Sequence, residues 1–152
     1  MQAVVDGVAD WPAFPDTVAA VQALGKRYKL VALSNAAHAT FGRTLAGPLQ
    51  GVRFDGVYLA EDIGSYKPDP RNFEYLLAHV EKGLGVGKEA LMHVAHGVSA
   101  DQVPAEEFGI SHAWIERGEH NWGTVKKQEG LRAWKTLGDM AASVEEAFEG
   151  AK

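Results

Sequence analysis

The sequence has 152 residues, no cysteine and a formal net charge of −5. This length fits one domain that buries its own core, and the acidic balance gives no general electrostatic reason to bind nucleic acid or an anionic membrane. The absence of cysteine excludes disulfides, thiolate metal sites and cysteine nucleophiles, and the absence of a membrane-length apolar run or a signal-like start predicts a cytoplasmic protein.

The first part of the chain alternates irregular connection, helix and strand. Residues 1–15 are interpreted as connection, because their prolines disfavour helical geometry in the residue before each of them. Asp16 is a suitable N-cap for a helix with an apolar face, and Gly25 is suited to end that helix. The elements predicted next are a strand at residues 29–33, a helix at 37–45 and a strand at 54–59.

The rest of the chain continues this alternation. The elements predicted there are a helix carrying Phe73, Leu76, Leu77 and Val80, a strand at residues 91–95, a short helix at 103–108, a strand at 112–115, a polar loop at 117–130, an edge segment at 131–134 and a helix at 138–148. In the last helix Met140, Val144 and Phe148 are expected to face inward. Alternating short strands and helices predict the α/β class, with a parallel sheet built from βαβ units.

Three polar clusters each follow an apolar run of this pattern. Ser34 and Asn35 close the first predicted strand, Lys67 follows the second in a loop with two prolines, and Asp101 follows the third by a short loop. In a parallel α/β sheet, ligands bind at the carboxyl ends of the strands. Three strands that each deliver polar groups to this edge therefore predict one shared site.

Each cluster also has a purely structural interpretation. Ser34 and Asn35 lie where a helix N-cap is expected, and a single lysine such as Lys67 is normally a solvated surface residue. Asp101 is placed to cap the helix that Pro104 enters, since proline is favoured in the first turn of a helix. Taken one at a time, these residues leave both interpretations open.

Taken together, the clusters resemble the haloacid dehalogenase superfamily, and its 2-haloacid dehalogenase branch in particular. The resemblance rests on Trp-Pro-Ala-Phe-Pro-Asp at residues 11–16, Leu-Ser-Asn at 33–35, Tyr-Lys-Pro-Asp at 66–69, His-Val-Ala at 93–95 and Trp-Ile-Glu-Arg at 114–117. It extends from about Trp11 to Phe148, with the segments in the order of the family. It implies a three-layer Rossmann-like core around a parallel sheet.

The resemblance also implies a chemistry. An aspartate nucleophile attacks the carbon that bears the halogen, and water then hydrolyses the resulting ester. Ser34 and Asn35 would orient the nucleophile and the carboxylate of a small-molecule substrate, with His96 as a further substrate-binding residue. Lys67 would keep the nucleophile ionised, and Asp101 would position the lysine or help to activate water. A homodimer is implied by close relatives alone.

The first motif of the family, an apolar strand ending in Asp-x-x-Gly-Thr, does not occur before Trp11. The nearest match has Asp6 before Gly7, but no threonine follows and no room remains for the helical cap of the family. We therefore expect that the first strand, the nucleophile and most of the cap are missing, through truncation, an alternative start or a damaged reading frame. Residues 1–15 would be a remnant of the cap connection, and 16–150 the core of a single domain, 1–152.

A missing first strand has a structural cost, because that strand is central in the superfamily. It lies between the strands that end here at Ser34 and Ala95, so both would have unpaired edges, and buried unpaired backbone groups are unfavourable. Three alternatives remain open: residues 2–5 fill the place, another chain fills it, or the protein has low stability.

The loop that carries Asp101 corresponds to the acidic fourth motif of the family. It departs from metal-dependent relatives, because His96 stands where they have an acid. A single carboxylate is a poor Mg²⁺ site, so we expect no cofactor, with Mg²⁺ needed only if the chain is a phosphatase. Val98 replaces an expected amide and Phe73 an expected tyrosine, which leaves the substrate open.

Other clusters have two interpretations. His93 and His96 form either a transition-metal pair or a set of core and loop histidines, and the second is favoured. Three of the four tryptophans form either part of a core or a base-stacking surface, and core packing is favoured: Trp114, Trp122 and Trp134. Three functions stay open: a dehalogenase-type enzyme that is inactive as this chain, a non-catalytic remnant used in binding or assembly, and a phosphatase.

Overall fold

The structure is a computed structural model that describes residues 7–117 and 132–151. The chain divides into two compact units, Met1–Asp62 with Leu137–Lys152, and Ile63–Thr136. The expectation of a single domain over residues 1–152 stays a prediction. Asp6, residues 2–5, Trp122 and most of the predicted loop at 117–130 lie outside the described residues.

The predicted helices and strands are confirmed in type and order within the described residues, and the pattern misses one short helix, α3. In chain order the elements are α1 (Thr17–Leu24), β1 (Val31–Ser34), α2 (His38–Ala46), β2 (Gly56–Leu59), α3 (Ala60–Ile63), α4 (Pro70–Leu84), β3 (Met92–Ala95), α5 (Val103–Glu107), β4 (Ser111–Ile115), β5 (Arg132–Trp134) and α6 (Leu137–Gly150). A 3₁₀ turn precedes β3, and a π-helical turn at Val98–Gln102 follows it. No helix within the described ranges is long and apolar enough to cross a membrane.

The strands form two parallel sheets, which confirms the α/β class. In the first unit β1 pairs with β2, with Ser34 opposite Leu59. In the second unit β4 lies between β3 and β5, and Ala95 is opposite Trp114. Trp114 is buried, as predicted for a core residue.

Each sheet has an edge strand in the part of the chain that the structure describes. There, β1 pairs only with β2, and β3 pairs with β4 on one side alone. These are the two strands that the sequence predicts to flank a missing first strand. The pairing within residues 7–117 and 132–151 agrees with that expectation.

Helix α4 follows directly from its sequence. The Asp69 carboxylate accepts a hydrogen bond from the Arg71 amide at 3.0 Å, and Pro70 occupies the first turn, where its missing N–H is not needed. Gly85 ends the helix with a φ of 66°, which favours glycine. The apolar face predicted for this helix is buried at Phe73, Leu76 and Val80.

Two end residues differ from their predictions. Asp16 makes no capping bond to its own helix, and its carboxylate instead accepts from the Gly138 amide at 2.9 Å, at the start of α6. Phe148 does not face inward as predicted, since it is 39% exposed. Its ring packs edge-on against Tyr28, which is itself exposed, and beneath the Arg27 guanidinium, near the end of α6.

Candidate active site

Lys67 and Asp101, which lie far apart in sequence, meet in the second unit. The Lys67 Nζ donates a hydrogen bond to Asp101 Oδ1 at 2.5 Å, and both side chains are only 11% exposed. Charged side chains are rarely this buried unless they are paired. The interpretation of Lys67 as a solvated surface lysine is therefore wrong.

Lys67 and Asp101 each lie in a loop or turn next to a regular element. Lys67 lies shortly before Asp69, the N-cap residue of α4. Asp101 lies in the π-helical turn that follows β3. It does not cap α5 as the structural interpretation expects, because the cap residue is Gln102 and no side chain bonds there.

A third side chain, His93 on β3, completes this cluster. Its Nε2 lies 3.0 Å from Asp101 Oδ1, the same oxygen that accepts from Lys67, and the side chain is 10% exposed. The sequence favours a core or loop role for His93, because a single histidine in an apolar strand has no periodic signal. A polar residue in a buried strand, eight positions before an acid, is the one signal that could have pointed to it.

The electrostatics of Asp101 reflect all three groups. Burial by itself would raise the pKa of its carboxyl group, because a charged form loses solvation. The hydrogen bond from His93 and the charge and hydrogen bond of Lys67 outweigh burial. The pKa of Asp101 is therefore held below its usual range, and the group is an anion at neutral pH.

Gly97 lies against the other carboxylate oxygen, and this gives a testable prediction. A Cβ built on Gly97 would overlap Asp101 Oδ2, while the φ of Gly97, −68°, is open to any residue. We expect Gly97→Ala to displace the carboxylate and to lower the free energy of unfolding by about 1–3 kcal/mol, as overpacking does. Urea denaturation measures this change.

The matched control for Gly97 is Gly83, near the end of α4. A Cβ there would meet no heavy atom within 4 Å. Gly83→Ala is therefore expected to raise the free energy of unfolding by about 0.5–1 kcal/mol, since alanine favours helix. Equal stability of Gly97→Ala and the unmodified chain would contradict the packing described for Asp101.

Ser34 and Asn35 end β1 in the first unit, with Ser34 half-buried and Asn35 exposed. They do not serve as N-caps, because the cap residue of α2 is Ala37 and no side chain bonds there. The His38 amide instead donates to Glu61 Oε2 at 2.6 Å, and its ring Nε2 donates to Asp62 at 2.7 Å. The shared site predicted for Ser34 and Asn35 with the residues of the second unit stays a prediction.

His96 is bound to β4. Its Nδ1 lies 2.8 Å from the Ile115 carbonyl oxygen, which can only accept, so Nδ1 carries the hydrogen. The His96 carbonyl in turn accepts from Trp114 Nε1 at 3.1 Å. A role for His96 in substrate binding stays a prediction, and its ring would meet a ligand through Nε2.

The donor set around Asp101 does not fit a divalent cation. Mg²⁺ prefers several oxygen ligands, whereas Asp101 Oδ1 accepts from an ammonium group and an imidazole N–H. Among residues 7–117 and 132–151, no three His, Asp or Glu side chains converge to hold a metal. The expectation of no cofactor stays a prediction.

Parallel sheets with polar residues after the strands, and a buried lysine–aspartate pair beyond β3, define an α/β protein of the Rossmann-like class. A family model of haloacid dehalogenase-like hydrolases matches residues 2–109. The chain belongs to this family.

Several individual relatives are dehalogenases. The chain is 31% identical over 105 residues to an (S)-2-haloacid dehalogenase from Pseudomonas putida, a match that covers 68% of the chain and 44% of that relative. It is similar to a solved L-2-haloacid dehalogenase, with a TM-score of 0.76 and 25% identity over 95% of the chain and 61% of that structure. A third match, at 21% identity, shows the fold alone: an L-2-haloacid dehalogenase from Xanthobacter autotrophicus with chloropropionic acid covalently bound, with a TM-score of 0.75 over 92% of this chain and 64% of that one.

Each of these matches covers only part of the relative's own length. The chain spans less than half of the curated relative and about three-fifths of the solved ones. It is thus a haloacid dehalogenase-like hydrolase that resembles 2-haloacid dehalogenases over part of their length.

Proposed function

We propose that this chain provides the charge-holding part of a site for hydrolytic dehalogenation of small 2-haloacids. The observation that supports the proposal is the buried Lys67–Asp101 pair, with Nζ and Oδ1 2.5 Å apart. A buried, paired lysine keeps its charge at a fixed position, which suits a site that must stabilise a carboxylate. The matches to (S)- and L-2-haloacid dehalogenases support the substrate class.

The proposed reaction has two steps. A carboxylate oxygen attacks C2 of the haloacid, so that a C–O bond forms while the C–halogen bond breaks and the halide leaves with the bonding electrons. Water then attacks the ester carbonyl, which releases the 2-hydroxy acid and restores the carboxylate. Covalent catalysis of this kind replaces one difficult displacement by two easier steps.

The candidate site residues have the following proposed roles in these steps. Lys67 holds the attacking carboxylate ionised, and Asp101 holds Lys67 in place. Ser34, the last residue of β1, and Asn35, which follows it, orient the attacking carboxylate and the substrate carboxylate, for which hydroxyl and amide donors are suited. No step requires a metal, and the histidine at position 96, where metal-dependent relatives place an acid, supports this.

The attacking carboxylate is not assigned to any described residue. The sequence has no Asp-x-x-Gly-Thr motif before Trp11. We therefore propose that the 152-residue chain by itself releases no halide. Activity should require a family segment that carries the aspartate.

The experiment is a chloride-release assay with 2-chloropropionate on two proteins. One is the chain alone, and the other is the chain fused behind the part of the Pseudomonas putida relative that precedes its matched region. We expect chloride release, insensitive to chelators, from the fusion only. Mg²⁺-dependent phosphate release from p-nitrophenyl phosphate without chloride release would favour a phosphatase, and neither activity in the folded fusion would favour a non-catalytic role.

A further inference from the structure

We propose that His93 is a positioning residue for the Lys67–Asp101 pair. Its Nε2–H and the Lys67 ammonium converge on one oxygen, Asp101 Oδ1, and so fix the carboxylate in the orientation that meets the lysine. This contact belongs to the free chain. Its consequence for catalysis rests on the proposed function.

The contact with Asp101 determines which nitrogen of the His93 ring carries the hydrogen. The distance between His93 Nε2 and Asp101 Oδ1 is 3.0 Å, within hydrogen-bond range. A carboxylate can only accept, so Nε2 must be the protonated nitrogen of a neutral His93 ring. The contact therefore requires the Nε2–H tautomer, and a protonated ring satisfies it too.

The His93 ring is held in place by packing. Phe73 meets it edge-on with ring centroids 5.3 Å apart, and Phe73 itself is 0% exposed and stacks on Phe108 at 5.6 Å. The backbone of His93 is fixed as well, since it lies opposite His112 in the β3–β4 ladder. A donor with so little rotational freedom is already aimed before any ligand binds.

The Asp101 carboxylate is confined on its second side by Gly97. A side chain at position 97 would overlap Oδ2, so this oxygen lies directly against the backbone. The carboxylate is thus held between two donors on Oδ1 and a glycine on Oδ2. Without His93, one of the two donors on Oδ1 is lost and Lys67 alone directs the group.

The consequence for the proposed reaction lies with Lys67. An ammonium group has three N–H donors, and the bond to Asp101 uses one of them. The second hydrogen bond, from His93, prevents the Asp101 carboxylate from rotating about its own axis. The carboxylate therefore holds the Lys67 ammonium group at a fixed angle. We expect loss of this donor to lower kcat by about 10-fold to 100-fold, the range for partners that orient a ligating group, with KM little changed.

The first test uses the unmodified chain. Two-dimensional ¹⁵N NMR of the histidine rings distinguishes the neutral Nε2–H, neutral Nδ1–H and protonated forms. We expect His93 in the Nε2–H or protonated form. A neutral Nδ1–H form at His93 would overturn the proposal, and no variant has to fold for this result.

The second test compares three variants through the pKa of the Asp101 carboxyl group, followed by ¹³C NMR. His93→Phe keeps a ring against Phe73 and removes the donor, and it should raise this pKa because the anion loses a hydrogen bond. His93→Gln restores an N–H near the Nε2 position and should recover much of the shift. The control, His79→Phe, lies on α4 where the ring bonds its own helix at Tyr75, and it should leave the pKa of Asp101 unchanged.

Two outcomes of this second test would overturn the proposal. One is a pKa for Asp101 in His93→Phe equal to that of the unmodified chain, and the other is a His93→Gln variant that shifts as far as His93→Phe. Neither NMR readout depends on halide release. Failure of the proposed dehalogenation and failure of the positioning role are therefore distinguishable.

Discussion

Lys67→Met is expected to lower the free energy of unfolding by about 3 kcal/mol, the lower part of the range for breaking a buried ion pair. Methionine keeps much of the length of lysine and removes its charge. The Asp101 carboxylate, 11% exposed, is then left with the His93 donor and without its cation. The His93 bond is the reason for placing the loss at the lower end. Urea denaturation at neutral pH measures the change.

Lys29→Met is the matched control, because Lys29 also pairs with an aspartate. Its Nζ lies 3.1 Å from Asp55 Oδ1, but the lysine side chain is 68% exposed. Exposed pairs contribute about 0–1 kcal/mol, so this variant should change stability little. If both variants lose the same small amount, the Lys67–Asp101 pair is not the buried interaction described above.

Asp101→Asn is expected to show a loss of stability that depends on pH. At neutral pH the variant should be about 3 kcal/mol less stable than the unmodified chain, because the Lys67 ammonium remains buried without its anion. The difference should shrink in acid, where the native carboxylate becomes protonated. Urea midpoints for both proteins between pH 7 and pH 2.5 measure this difference.

The sign follows from the pKa of Asp101, which is lowered in the folded chain. A group with a lowered pKa stabilises the fold fully above its unfolded pKa, about 3.9 for aspartate. That stability is lost as the pH falls through the folded pKa. A difference that grew below about pH 4, or that stayed constant to pH 2.5, would contradict the stated charge state of Asp101.

Asp55→Asn provides the comparison for this pH dependence. The pKa of Asp55 is also lowered, first by the hydrogen bond from the Leu30 amide and then by Lys29. Asp55 is at the surface, where solvent screens such interactions. Its variant should therefore show the same direction of change with a smaller amplitude.

The regular elements could be predicted from sequence because their signals are local. Phe73, Leu76 and Val80 repeat at helical spacing, and Asp69 with Pro70 marks where α4 begins. The start of β1 was harder to place. The Leu30 amide donates a hydrogen bond to the Asp55 carboxylate rather than to a strand partner. A bond to a side chain of this kind produces no periodic pattern in the sequence.

The meeting of Lys67 and Asp101 was predictable for a different reason. Both residues follow predicted strands of an α/β pattern, in which ligand-binding groups lie after the carboxyl ends of the strands. Their order in the pattern therefore indicated a shared site without any distance. The role of His93 was not predictable in this way. Its ring direction depends on packing against Phe73 and on the conformation of the turn that carries Asp101, and neither follows from the apolar pattern of β3.

The capping interpretation of Ser34 and Asn35 failed through a similar non-local effect. Glu61 and Asp62, which follow β2, bind the first residue of α2, so the helix begins without a cap from β1. Phe148 failed at an element end, where periodicity continues after the core has ended. Both differences thus depend on groups that are distant in sequence: Glu61 and Asp62 at the start of α2, and Arg27 and Tyr28 at Phe148.

The role of the Lys67–Asp101 pair is tested most directly by the rate of chloride release from 2-chloropropionate by the fusion that carries the aspartate segment. We expect release by the unmodified fusion and by Lys29→Met, and a rate at least about 100-fold lower for Lys67→Met, the scale for losing a preorganised charge-stabilising group. Chloride release by Lys67→Met at the rate of the unmodified fusion would contradict the assignment of the Lys67–Asp101 pair to a dehalogenase-type site.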